Sequence, residues 1–374
     1  MKSSILSSVL ALTPSALATF SKPEGHDIQY SSVPGYFLQD DPNTNPNGFD
    51  YSATPHQAQW NFGLVNRTYP TDDKFDPQHT KTQWQRFERW VKYLNSNCRK
   101  CEKATYKVFF FGRHGEGYHN VAESFYGTPA WNCYWAELNS NGTSTWADAL
   151  LTDNGFAQAS KANAYYKSRF EQEGLPYFES YYSSPLRRCI QTANTTFATL
   201  DLPHTHPFEP TIKELFREGI SIHTCDHRST KTEIHGFAPA FKFEAGFSEQ
   251  DELWRGNVGE GETSAHQMAR SKVALDDVFT HDNGTWISVS SHSGEIGSLL
   301  TVLNHQPFGL ATGQIIPVLV KAEIVEPLPT TTYASFTHEA TCTSPPVTSV
   351  AGQGCVCSTT AAPAFSSTTL PAAH

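Results

Sequence analysis

Between Tyr106 and Ile324 the chain alternates short apolar runs with helical repeats, and this alternation limits the fold more than any other feature of the 374 residues. Residues 107–111, 178–183, 285–290 and 315–324 read as strands. Residues 186–200, 264–279 and the segment carrying Ile296, Leu299, Leu300 and Leu303 on one face read as helices. So does 155–171, with Phe156, Ala159, Ala162, Tyr166 and Phe170 turned inward. Strand and helix in alternation predict an α/β fold, a mostly parallel sheet with helices on both faces and crossovers of one hand. With 38% hydrophobic residues, 13% of the chain being aromatic, there is ample material for a core.

The flanking segments are of a different kind. Residues 1–18 read as a secretory signal, with Lys2, the apolar Ile5, Leu6, Val9, Leu10 and Leu12, and a small-residue cleavage site at Ala16-Leu17-Ala18. Four Asn-x-Ser/Thr sequons, at Asn66, Asn141, Asn194 and Asn283, fit an exported glycoprotein. The expected destination is extracellular, with cell wall or vacuolar lumen as alternatives. No later segment has the run of about 18 apolar residues that an integral membrane helix needs. Residues 19–80, rich in Pro, Asn, Asp and aromatics, read as an irregular arm. Trp84, Phe87, Val91 and Leu94 mark one face of a helix opening a catalytic domain at 81–328, and 329–374 read as a Ser/Thr/Pro/Ala-rich tail. Eight cysteines in an oxidising compartment favour disulfides, and Cys98 with Cys101 reads as a structural disulfide motif. A formal charge of -10 with no Lys/Arg run argues against nucleic acid or an anionic membrane as partner.

Four polar motifs follow predicted strands. They contain Arg113-His114-Gly115, Ser183-Ser184-Pro185-Leu186-Arg187-Arg188, Glu214-Leu215-Phe216-Arg217-Glu218 and Ser291-His292-Ser293-Gly294. In a parallel sheet these strand ends share one edge, so Arg113, His114, Arg188, Glu218 and His292 can converge. Such a set suits phosphoryl transfer. Guanidinium forks bind phosphate oxygens, an imidazole can attack phosphorus, and a carboxylic acid can protonate the departing oxygen.

On these residues the chain resembles the histidine phosphatase superfamily, the phosphoglycerate mutase-like fold. The resemblance rests on R-H-G-E-G-Y-H-N at 113–120, L-T-D-N-G-F-A-Q-A at 151–159, S-S-P-L-R-R-C-I-Q-T-A at 183–193 and V-S-S-H-S-G-E-I at 289–296. It implies that His114 is the phosphorylated nucleophile, that Arg113 and Arg188 bind the phosphoryl group, that His292 is a further phosphate ligand opposite, and that Asn120 helps hold the pocket. Arg188 is preferred to Arg187 because the family's arginine lies three residues before the Gln-Thr pair, here Gln191-Thr192. Gly117-Tyr118 and Ser293 stand where the acid phosphatase and phytase branch carries Arg-Pro and Asp, so the chain looks like the mutase-type branch, whose proton donor is a mid-chain Glu. Glu218 fits that position and Glu214 competes. Gly117 replaces a Ser often seen in true mutases.

Two spans, 118–150 and 219–262, exceed what a compact version of this fold needs; long aromatic-rich loops beside an active edge act as lids or substrate walls. Tyr118 and Arg228 in these spans are candidate substrate contacts. His223 and His227 stand four residues apart, a metal-ligand spacing on a helix and an unremarkable one in a loop. The expected function is a secreted phosphomonoesterase working on a small phosphorylated substrate through a phosphohistidine, with no metal or organic cofactor. The alternatives are a phosphomutase, a non-catalytic binding glycoprotein that keeps the fold, and a zinc hydrolase built from His114, His119, His223, His227 and His292.

Overall fold

In a computed structural model the described residues are 20–54, 57, 59–98, 104–327, 332–346 and 357. The expected signal and most of the tail lie outside them, as do Cys101 and the side chain of Cys98. Nine strands are formed among the described residues: β1 (Asp27–Ser32), β2 (Ala104–Arg113), β3 (Ser180–Ser183), β4 (Thr211–Ile212), β5 (Lys242–Phe243), β6 (Glu260–Glu262), β7 (Trp286–Ser291), β8 (Ile315–Val325) and β9 (Phe336–His338). Seven make one sheet in the order β1-β8-β2-β7-β3-β4-β5. β2, β7, β3, β4 and β5 run parallel, and β8 is antiparallel to both β1 and β2. The sheet is thus mostly parallel, as the alternation predicts.

The helices are α1 (Asp72–Phe75), α2 (Gln83–Cys98), α3 (Tyr118–Tyr126), α4 (Thr128–Cys133), α5 (Asp153–Ser168), α6 (Arg187–Phe197), α7 (Lys231–Phe237), α8 (Ser264–His281) and α9 (Ser293–Val302). Successive residues of β2 point to opposite faces of the sheet. Phe110 meets Trp84 of α2 and Tyr166 of α5 at ring-centroid distances of 5.9 and 6.2 Å, whereas Phe109 meets Phe279 of α8 at 5.8 Å. Helices therefore cover both faces. Trp84, Phe87 and Val91 are fully buried and Leu94 packs beside them, as the spacing of α2 requires. On α5, Ala159, Ala162, Tyr166 and Phe170 are buried, but Phe156 is exposed. Phe156 belongs to the first turn, where Gly155 docks on the Glu116 backbone instead of on the sheet.

Three segments differ from their sequence reading. The arm contributes β1, which pairs along β8 from Asp27↔Val325 to Ser32↔Val320 and buries Ile28 and Tyr30. A six-residue strand flanked by Pro and Gly is too short to announce itself by period. The second insertion contributes β5 to the edge of the main sheet, and the segment read as tail contributes β9, antiparallel to β6. Cys342 and Cys357 are joined by a disulfide, and Cys133 is also disulfide-bonded. Cys189 and Cys225 are free thiols buried under the site, so the even cysteine count does not translate into full pairing.

Candidate active site

The register of the sheet builds the site. Arg113 pairs with Ser291, and Ser183 with both Ser290 and Ile212, so β2, β7, β3 and β4 end together at one edge. Neighbouring strands are about 4.8 Å apart, so the residues one step beyond them become lateral neighbours. The His114 N–H donates to Ser291 O at 3.0 Å, and the His114 and His292 rings lie 5.1 Å apart, centroid to centroid. β8 starts from the same edge, where Gly313 N–H donates to His114 O at 2.9 Å.

His114 is 1% exposed. Its Nδ1 lies 2.7 Å from Gly115 O, a group that can only accept, so Nδ1 carries the proton and the lone pair sits on Nε2. Burial, then the charges of Arg188 and Arg113, pushes its pKa well below that of an ordinary imidazole. It is a neutral imidazole with its free electron pair fixed in direction, the form a nucleophile needs.

Arg188, on the first turn of α6, is buried beside His292 and donates from Nε to His292 Nδ1 at 3.3 Å and from an Nη to Asp226 Oδ1 at 3.1 Å. Burial alone would lower its pKa; the surrounding acidic groups, Asp226 foremost among them, together more than offset this. His292 Nε2 meets Ser184 Oγ at 2.7 Å, and because Nδ1 accepts from Arg188, Nε2 is the donor. Arg113 donates one Nη to Leu310 O at 2.7 Å, while its Nε is buried without a partner. Asn120 Oδ1 accepts from Gly117 N–H at 3.0 Å and so fixes the loop before α3. Arg187, by contrast, is part exposed and lies 3.5 Å from Asp148.

Glu218 sits across from the arginines, against the N-terminus of α9. Its carboxylate accepts from Glu295 N–H at 3.0 Å and Gly294 N–H at 3.3 Å. A Cβ on Gly294 would fall 2.2 Å from Glu218 Oε1, so only glycine leaves room for this approach. The helix N-terminus favours the ionised form, yet burial, followed by the Asp226 charge, raises the pKa above the usual carboxylate range. Such a group can hold a proton and give it up. Glu214 is instead bound to Arg217 at 3.0 Å and Arg228 at 2.7 Å.

The other motif residues brace rather than react. Thr192 Oγ1 accepts from Gly115 N–H at 3.0 Å, Gln191 Oε1 accepts from Leu151 N–H at 2.8 Å, and Thr152 Oγ1 donates to Glu116 Oε1 at 2.7 Å. These bonds tie the first three motifs into one loop cluster. The ring of Tyr118 is buried at the start of α3, and its N–H donates to Leu150 O at 3.1 Å.

Arg228 does not take the expected part. Nε donates to Glu214, and the two Nη groups donate to the carbonyls of Ser229, Glu249, Ser248 and Gln250, so all five N–H groups are used inside the protein. The residue holds the 244–251 loop and has nothing left for a substrate. The five histidines do not converge either. His227 stacks on Trp254 at 4.2 Å, His114 Nδ1 and both His292 nitrogens are committed, and a 3-10 turn, Thr224–Asp226, separates His223 from His227. His223, Cys225 and Asp226 offer ligand atoms within 4.8 Å of one another, but Asp226 already pairs with Arg188, and burial raises the Cys225 thiol pKa.

Asp226 and Ser184, which orient Arg188 and His292, were not assigned from the sequence. Nor was the buried network behind Glu218, in which Arg270 bonds Glu262 and Glu295 and donates to the carbonyls of Leu215, Arg217 and Glu218. Only Ser184, inside a motif, carried a local signal; Asp226 and Arg188 pair across 38 residues, and Arg270 reaches the Glu218 carbonyl across 52.

The sequence model of the histidine phosphatase superfamily (branch 1) matches residues 109–315. The chain is also 46% identical over 296 residues to a probable phosphoglycerate mutase of Arthroderma benhamiae, covering 79% of this chain and 85% of that one. This chain belongs to the histidine phosphatase superfamily. Phosphomutase-like protein 3 of Candida albicans is 38% identical over 79% of this chain and 81% of its own. A probable phosphoglycerate mutase of Saccharomyces cerevisiae is 30% identical over 63% and 86%. As a superfamily enzyme, the protein has the strand-end arginines, histidines and carboxylate described above on one edge of its sheet.

Proposed function

We propose that this histidine phosphatase superfamily enzyme is an exported phosphomonoesterase that works through a phosphohistidine at His114. The observation that carries the reading is the tautomer of His114. With Nδ1 bonded to Gly115 O at 2.7 Å, the Nε2 lone pair is available for attack on phosphorus. In the first step the Nε2–P bond forms and the P–O ester bond breaks. Glu218, whose pKa is raised by burial and then by the Asp226 charge, gives a proton to the departing oxygen. Arg113 and Arg188 neutralise the phosphoryl oxygens, and His292 lies alongside. In the second step water attacks phosphorus, Glu218 takes its proton, and the P–N bond breaks to release phosphate.

The names of the relatives favour a second reading, a phosphomutase, in which the phosphoryl group returns to an organic acceptor instead of water. Export rests on the signal-like residues 1–18 and on the sequons, whose asparagines, Asn66, Asn141, Asn194 and Asn283, are all exposed. The test is phosphate release from a panel of phosphomonoesters by the full chain, with His114→Ala and EDTA controls. Chelator-resistant release that falls more than ~10³-fold in the variant is expected. Transfer between organic phosphates without release selects the mutase, and a folded protein that does neither overturns both.

A further inference from the structure

His119, the second residue of α3, has no part in the chemistry above, yet it lies at its centre. Its ring stands 5.3 Å from the His114 ring, much as His292 stands 5.1 Å away. His119 is 8% exposed, and among the described residues neither of its ring nitrogens has a hydrogen-bond partner; Nδ1 is sealed from solvent altogether. Leaving a buried polar group unpaired is costly. Buried polar groups in folded proteins are nearly always paired, so a bare one beside a nucleophile points to a ligand. The ring is packed closely against the loop before α3. A Cβ on residue 117 would fall 2.7 Å from His119 Nδ1, so Gly117 is what lets the imidazole lie where it does.

We propose that His119 is a further catalytic residue, an N–H donor to a non-bridging oxygen of the phosphoryl group held on His114. This rests on the phosphohistidine reading. The ligand is a phosphoryl group or its trigonal-bipyramidal mimic, and the bond strengthens as negative charge gathers on the equatorial oxygens. The N-terminal turn of α3 adds partial positive charge to the same side. Burial, then the nearby Arg188, His114 and Arg113, keeps the imidazole neutral, so it donates a single N–H without adding a third full charge.

The experiment compares full-length wild type, His119→Phe and His119→Gln. Phenylalanine fills the space without a donor; glutamine restores an N–H. The readouts are the melting temperature, the inhibition constants for orthovanadate and for inorganic phosphate, and the rate of phosphoenzyme formation. His119→Phe is expected to lower kcat/KM by about 10²-fold and to weaken vanadate binding about tenfold more than phosphate binding, with His119→Gln recovering part of both. A structural role would move both anions together. Vanadate binding and phosphorylation in His119→Phe that match wild type overturn the proposal, and so do equal losses in both variants. Should the phenylalanine variant fail to fold, His119→Gln with no preferential recovery of vanadate over phosphate binding overturns it too. If wild type forms no phosphoenzyme and binds no vanadate, the phosphohistidine reading itself falls.

Discussion

Two groups of enclosed nitrogen side chains in this protein are built on opposite rules. On the strand-end side, Arg113 Nε and His119 Nδ1 are buried without partners. Behind the second insertion and under Glu218, Arg228 and Arg270 have every N–H bonded to a carboxylate or carbonyl. Each group contains an arginine enclosed by the protein, Arg113 half-buried and Arg228 and Arg270 fully so. What differs is whether the fold has used up the donors. A saturated arginine is scaffold; an unsaturated one beside a nucleophile waits for an anion.

The contrast is sharpened first at Glu218, where the two groups meet. Glu218→Gln removes the exchangeable proton but keeps the size, and kcat for an alkyl phosphate is expected to fall about 10²–10⁴-fold. An aryl phosphate with a good leaving group should suffer much less in phosphoenzyme formation, because its oxygen departs without protonation. Equal losses for both substrates would move the acid elsewhere.

On the saturated side, Arg228→Met should act on stability instead of chemistry. Removing one partner of a buried pair leaves its counterpart uncompensated, at about 3–5 kcal/mol. Here that counterpart is Glu214, 2.7 Å away, although Arg217 still faces it. The melting temperature should drop while KM and kcat of the folded fraction stay unchanged. A raised KM with normal melting would return Arg228 to the substrate and break the comparison.

The effect that is smallest over any single pH unit is expected at Glu295, buried against Arg270 at 3.2 Å, where burial pushes the carboxyl pKa up to about 8. Unfolded, it would titrate near 4.5. The folded state therefore binds a proton that the unfolded state has released across that window. Its contribution is fully present below the unfolded value and is lost as pH rises through the folded one, with a slope of at most about 1.4 kcal/mol per pH unit. Glu295→Gln should flatten this part of the profile in melting curves taken from pH 5 to 9. A variant with the same slope as wild type would place the ionised carboxylate next to Arg270 throughout.

Much of the fold was legible because its information is local. The run Val108–Phe111 can be little but a buried strand, and the α2 face of Trp84, Phe87 and Val91 is visible in spacing alone. β1, β5 and β9 were not, since strands of six, two and three residues are set by the partner that they pair with and not by their own period. At the site, Arg113, His114, Arg188 and His292 each follow or open a regular element, so topology brings them to one edge whatever the details. Arg228 and His119 were harder. Both are polar residues beside glycine-rich or insertion sequence, and nothing in the sequence says whether a donor will be spent on neighbouring carbonyls.

By itself, then, the sequence determined the layered α/β architecture, the strand ends that carry chemistry and the superfamily to which they belong, because apolar period and motif spacing are properties of neighbouring residues. Only the tertiary structure decided which polar groups are left unsatisfied. Asp226 reaches Arg188 across 38 residues, Glu295 reaches Glu218 across 77, and His119 comes to rest beside His114 with both nitrogens bare. Hydrogen bonding is short-ranged in space and indifferent to separation along the chain, so that accounting exists only once the chain has folded.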